Sequence, residues 1–347
     1  MRWRFEMRAF PACLVMHLLC LGLASLSWAQ DVPARAEAML KRAHEQSDIR
    51  ASNAPGFRLT ATFSFVGKDL AQEEGTYTEI WVSNSRSRSE IAVKDLHRVE
   101  VVGPARRWLL EGDDFPDRAA RVATEIEYLP PRETSFDFET INDHPEKDPP
   151  YECATTKHGS HQEVSGLCFD KKTGILIETA FPELRPSKLA DPLRPVEHTC
   201  SYGAFKRFGN FWFPREMECS EDGHKVISIQ VTELSLESSP DPSLFVPPAG
   251  AVELANCRGT LIPPTAISSP SPRLPSVTSI PSRIFLSLIV DTKGHPQNVK
   301  VADNTGEKSR NRAAIETART WRFKPATCDG EPVPSPSKLE LDFRFVH

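Results

Sequence analysis

The templates of enzyme chemistry are missing from this sequence. It holds no G-x-S-x-G nucleophile elbow and no glycine-rich phosphate loop, which removes common hydrolase and nucleotide-binding readings. The stretch "HEQSD" (His44 to Asp48) opens like an H-E-x-x-H zinc motif, but Asp48 stands where the second histidine belongs. His158 and His161, with Glu163 nearby, are metal-capable donors in a stretch that reads as solvated loop. The 47 acidic residues follow no pattern, so some pair by chance. No catalytic residue, no metal and no cofactor is expected. A large excess of either charge is also missing. The formal net charge is −5, with no basic patch of the size nucleic acid demands, so nucleic acid is excluded as a partner. With 39% hydrophobic and 26% charged residues, the chain is neither disordered nor multi-span. No internal repeat is present.

The first 29 residues differ from the rest. Arg2, Arg4 and Arg8 give a basic start, Cys13 to Leu26 is apolar, and Ser27-Trp28-Ala29 is a small-x-small site. This is the pattern of a secretory signal peptide, which points to the periplasm. The alternative is an uncleaved inner-membrane anchor, but Pro11 and His17 leave the apolar run short for a span. No lipobox precedes Cys13 or Cys20. Six cysteines follow: Cys153, Cys168, Cys200, Cys219, Cys257 and Cys328. An even number in an exported chain reads as disulfides, in one of 15 connectivities. Cys153 with Cys168 and Cys200 with Cys219 look like neighbours on adjacent strands, which leaves Cys257 with Cys328. A zinc site is the alternative, but C-x-x-C and zinc-spaced Cys-His clusters are absent.

After the leader, Asp31 to Ile49 reads as a helix, with Ala36, Met39, Leu40 and Ala43 as its apolar stripe. Period two then takes over. Phe57, Leu59, Ala61, Phe63 and Phe65 alternate with polar residues as a half-buried strand. Further strands follow at short spacing and read as antiparallel neighbours, with a helix over Asp117 to Leu129. Leu261 to Ser282 carries six prolines and is extended, either as a linker or as a lead-in laid along a domain. The tail then reads strand, strand, helix, strand. The expected organisation is a signal peptide over 1–29, an antiparallel β domain over 30–250, a proline-rich lead-in over 251–282 and a small domain over 283–347.

The tail carries a specific pattern. Val290-Asp291 with Gly294 makes a first turn, and Ala313-Ala314 open a helix. Trp321, Phe323, Pro325 and Ala326 form an aromatic knot. Asp329-Gly330 and Pro332-Val333 make a second turn, and Phe343-Arg344-Phe345 end the last strand. Over about 65 residues this resembles the C-terminal domain of TonB-family proteins. Thr317, where the family's helix often has alanine, and a missing glycine before the first strand are departures. The resemblance implies a periplasmic module that docks an extended segment of an envelope protein by adding it as a strand to the last strand, here Leu339, Glu340, Leu341, Asp342, Phe343, Arg344 and Phe345. Trp321, Phe323, Pro325, Asp329 and Gly330 are then structural, with Pro325 ending the helix.

Residues 31 to about 250 resemble, more weakly, the LolA-like lipoprotein-carrier superfamily. The signs are the first helix, the run of strands and the late stretch Phe205 to Pro248. This implies a curved open sheet, with helices on the concave face and an acyl-chain ligand as the possible partner. The alternative is a filled core with no ligand. The expected fold class is α+β, in two parts. Two functions follow: an envelope binding protein acting through the tail, with a possible link to transport across the outer membrane, or a lipid or lipoprotein carrier.

Overall fold

The computed structural model describes residues 32–67, 70–112, 115–131, 136–158, 163–184, 195–257, 260–271, 282–301 and 308–343. The leader, Asp31, His161, Arg344 and Phe345 lie outside these residues. Helix α1 covers 32–47. Strands β1 (Phe57–Val66), β2 (Gln72–Ser83), β3 (Arg86–Val93), β4 (Leu96–Val102) and β5 (Arg106–Glu111) follow. Helix α2 (Asp117–Glu127) precedes β6 (Phe138–His144), β7 (Tyr151–His158), β8 (Glu163–Asp170), β9 (Leu176–Leu184) and β10 (Pro195–Gly203). A small hairpin of β11 (Lys206–Phe208) and β12 (Phe211–Phe213) leads to β13 (Glu216–Glu221), β14 (His224–Leu236) and β15 (Val252–Ala255).

Thirteen of these strands form one open antiparallel sheet, in the order β15-β5-β4-β3-β2-β1-β14-β13-β10-β9-β8-β7-β6. The order explains the chain's path. Strand β14 lies mid-sheet and β15 at the edge, so residues 237–251 must cross the strands between them. They do so on one face, where the Arg86 guanidinium stacks 4.5 Å from the Phe245 ring centroid and Arg88 Nη1 donates to the Leu244 carbonyl at 3.3 Å. Both helices cover the other face. There Ala36, Ala43, Ala119, Val122 and Ile126 meet the inward row of β1, and Phe169, Phe208 and Phe213 fill the remaining space. Phe57 stacks on Trp81 at 5.5 Å. This face is packed with the protein's own side chains.

One ionic cluster is sealed beneath α2. Arg50, 4% exposed, donates Nε–H to Glu79 Oε1 at 2.9 Å and pairs its Nη2 with Glu79 Oε2. Its Nη1 caps the Ile126 carbonyl near the end of α2 at 3.0 Å. Tyr77 Oη lies 3.0 Å from both Glu79 Oε2 and Glu127 Oε1. A phenol has one proton and serves one carboxylate at a time, so the other short O···O contact calls for a proton on Glu127. Burial, with Glu79 and Glu100 near, pushes the Glu127 carboxyl up to about 7.

The tail contains β16 (Leu261–Ile262), β17 (Thr265–Ser268), β18 (Ser282–Val290), β19 (Pro296–Val301), α3 (Lys308–Thr320), β20 (Arg322–Lys324), β21 (Ala326–Cys328), β22 (Glu331–Val333) and β23 (Ser335–Phe343). Its sheet runs β19-β18-β23, antiparallel throughout, and α3 lies against it. A second core gathers Ile284, Leu286, Leu288, Val290, Ala314, Ala318, Phe323 and Leu341. The architecture is α+β, with a large open sheet followed by a small β-β-α-β unit.

The turn after β18 explains two motif positions. Asp291 Oδ1 accepts the backbone N–H of Lys293 at 2.9 Å and of His295 at 2.8 Å. Burial opposes the charge on Asp291, but these donors, with the Gln297 amide and His295, hold its carboxyl below the usual range. Gly294 has φ +79°, and a Cβ there would sit 1.9 Å from the Phe323 carbonyl oxygen. The absent side chain lets Phe323 N–H donate to the Gly294 carbonyl at 3.0 Å. That contact also corrects the expected role of Pro325. Helix α3 ends at Thr320, five residues earlier, and Arg322–Lys324 is drawn out as strand β20. The backbone of Phe323 is claimed by the Gly294 turn on one side and by β17 on the other, so the helix cannot continue. Pro325 separates β20 from β21.

Two expectations follow. Folding raises the Glu127 pKa from 4.5 to about 7, so the stability tied to its protonation is complete below about 4.5 and is lost as pH rises through about 7, up to about 3 kcal/mol. Glu127→Gln should gain melting temperature over wild type progressively between pH 5 and pH 8; a gain that is flat across that range would contradict the assignment. Gly294→Ala should cost at least about 3 kcal/mol and speed amide exchange at Phe323 roughly 100-fold. Unchanged exchange there would contradict the steric argument.

Candidate functional site

The strand named from sequence as a docking edge is β23. It pairs in continuous register with β18, from Val290 with Ser335 to Ser282 with Phe343. Leu341 is buried in the small core and Leu339 packs partly against it, while Pro336, Lys338 and Glu340 are exposed. Alternation thus turns one face of the strand inward and leaves polar side chains outward. Among the described residues, no strand pairs with the other edge of β23. Pro336 and Lys338 are residue types that protect an open edge from indiscriminate pairing. Arg344 and Phe345, also named for this edge, lie outside the described residues.

A second edge of the tail is already taken, and by the protein itself. The proline-rich lead-in lies antiparallel to the knot. Leu261 and Ile262 pair with Cys328 and Thr327, and Thr265 and Ala266 with Lys324 and Phe323. Thr260 N–H donates to Asp329 Oδ1 at 2.9 Å, and Asp329 N–H returns to the Thr260 carbonyl at 3.1 Å. Trp321 Nε1–H donates to the Pro270 carbonyl at 3.1 Å. The Cys257–Cys328 bridge closes the assembly across 71 residues. Asp329 (φ +52°) and Gly330 (φ +93°) supply the tight turn from β21 to β22. Trp321, Phe323, Asp329 and Cys328 therefore all touch the lead-in, and Arg322 and Lys324 are exposed beside them. Of the two possibilities, linker or laid-down segment, the lead-in is the second, with a strand signal that its prolines hide in the sequence.

The tail is fixed to the large sheet. Strand β15 pairs with β5, Asn256 Nδ2 donates to the Gly103 carbonyl at 2.8 Å, and Ala255 N–H donates to the Pro334 carbonyl at 3.2 Å. Lys300 on β19 donates to Glu111 Oε1 at 2.9 Å and to the Gly112 carbonyl at 2.9 Å. The candidate edge therefore sits beside a large, fixed neighbour.

Metal-binding residue types also meet inside the large sheet. Glu125, His198, Cys200 and Cys219 bring their donor atoms within 4.8 Å of one another. Two features oppose a metal there. The two sulfurs are joined, as are those of Cys153 and Cys168. Arg121 Nη1 lies 2.9 Å from His198 Nδ1, so that nitrogen accepts, and Nε2 carries the proton toward Glu125 and the Cys200 sulfur. A metal at Nε2 needs the opposite tautomer. The histidine is locked as a donor in a structural cluster. The side chains of His158 and His161 lie outside what the structure describes. Among the described residues, no helix is long and apolar enough to cross a membrane.

No curated protein matches the chain. Among solved structures, it is similar to a LolA superfamily protein from Nitrosomonas europaea, with 13% identity and a TM-score of 0.39 over 61% of this chain and 97% of that one. It is also similar to a putative outer membrane lipoprotein-sorting protein domain from Vibrio parahaemolyticus, with 11% identity and a TM-score of 0.37 over 60% and 97%. A DUF1329 family protein from Desulfovibrio piger matches with 8% identity and a TM-score of 0.38 over 60% and 96%. The tail gives the family match: residues 279–345 fit the model of the Gram-negative bacterial TonB protein C-terminal family.

Proposed function

We propose that this is an exported binding protein of the cell envelope, working in the periplasm, whose tail docks an extended segment of a partner protein along the outer edge of β23. The observation that carries the reading is that edge. Among the described residues no strand pairs along that edge, although β15 touches its beginning, and the segment matches the TonB C-terminal family. Strand addition satisfies the open backbone groups and draws specificity from alternate side chains. The basic-apolar leader and the even set of cysteines support export. A lipid or lipoprotein carrier working through the large sheet is the weaker reading, because the face beneath the helices is occupied by the protein's own aromatic side chains.

The test is positional. A photo-crosslinking residue at Lys338 should join the mature protein to one envelope protein, and the same residue at Arg319 on α3 should not. A synthetic peptide of the joined segment should then slow amide exchange over 337–341 by at least about tenfold. Equal adducts at both positions, or no slowing by the peptide, would refute docking on this edge.

A further inference from the structure

A cleft of about 530 Å³ opens at one end of strands β7 to β10, away from the tail's strands. Its walls include Tyr151, Ile175, Phe205 and Trp212, and its polar groups include two carboxylates, Asp170 and Glu178. Among the described residues, no lysine, arginine or histidine lines it. This size and mixture, mainly apolar with a few placed polar groups, are those of small-molecule sites.

The two carboxylates are not equivalent. Asp170 Oδ1 is engaged by the turn that follows β8, where it accepts the Thr173 N–H and hydroxyl, both at 2.6 Å. Glu178 has no ion pair among the described residues. Its close contact is the Cys168 sulfur at 3.9 Å, and that sulfur is bonded to Cys153 and holds no proton to give. Burial, and then the charge of Glu197, push the Glu178 carboxyl upward, the direction expected of an anion short of a counter-charge. Arg207 lies 4.9 Å from the Trp212 ring centroid but is not part of the cleft wall. The site thus combines aromatic rings, which attract cations, with an anion that has no ion pair among the described residues; Arg207 at Trp212 and His144, 4.7 Å from the Tyr151 ring, meet these rings from outside the wall.

We propose that this cleft binds an organic ammonium group carried on a small apolar or aromatic body, with Glu178 as the counter-ion and Tyr151, Phe205 and Trp212 as the enclosing rings. The same charges disfavour an anionic amphiphile: a fatty-acid carboxylate entering here meets two carboxylates and, among the described residues, no cation. The cleft and β23 involve different residues, so either assignment can fail without the other.

Calorimetric titration of the mature, oxidised protein at pH 7.5 tests the proposal with three probes of similar body: benzyltrimethylammonium, benzyl alcohol and benzoate. The cation should bind saturably and at least tenfold more tightly than the alcohol, and benzoate should not bind. Glu178→Gln, which keeps the shape of the side chain, should erase the preference. Trp212→Leu should weaken the cation more than the alcohol and provides a second variant independent of Glu178. Equal affinity for all three probes, binding of none, or a preference that survives in both variants would overturn the proposal.

Discussion

The pairing of β15 with β5 is the contact on which the arrangement of the two parts depends. It adds the last strand to one edge of the large sheet, so a long antiparallel edge does not stand open there. It also brings the chain to Asn256 and Cys257, the points from which the tail is hung. Residues 237–251 have to cross the sheet to reach that edge. Their stacking of Phe245 under Arg86 and the Leu244 carbonyl on Arg88 therefore belong to the same device. Lys300, at the other side of the tail, caps the end of β5 through Glu111 and Gly112. The tail meets the sheet through paired backbone, a covalent bridge and an ion pair.

Within the tail, the motif residues hold two pieces of backbone against the knot. Gly294 lets the first turn lie directly on Phe323, and the lead-in occupies the opposite side. With that side of the knot filled by its own chain, β23 is the longer edge strand left in the small sheet. The exposed Leu261, Ile262 and Ile267 of the lead-in mark where its outer surface begins.

Much of this was legible where side-chain period dominates. The row Phe57, Leu59, Ala61, Phe63 and Phe65 alternates strictly and became the centre of the main core. The tail's β-β-α-β order could be read because Asp291, Gly294 and Trp321 to Ala326 form a tight local pattern. The lead-in strands were less legible, since six prolines in 22 residues look extended but not paired. The lack of an N–H makes Pro325 look like a helix stop in the sequence, whereas tertiary claims on Phe323 end the helix before it. The cluster of Arg50, Tyr77, Glu79 and Glu127, and the cleft around Glu178, join residues far apart in sequence. Charge and burial of this kind have no periodic signal, so only the folded arrangement reveals them.

The register of β18 against β23 has a mechanical meaning. A pull along β23 loads nine consecutive residue pairs in shear, so they share the force instead of opening one after another. From β18 the load passes into the small core, which includes Phe323. The bridge at Cys328, a few residues on, hands it to Cys257 and so to β15 and the sheet. On that path β15 meets β5 over only four residue pairs, backed by the Asn256 bond to Gly103 and the Lys300 ion pair. Were those few pairs to open, the sulfur bridge would still hold the knot fastened to its lead-in.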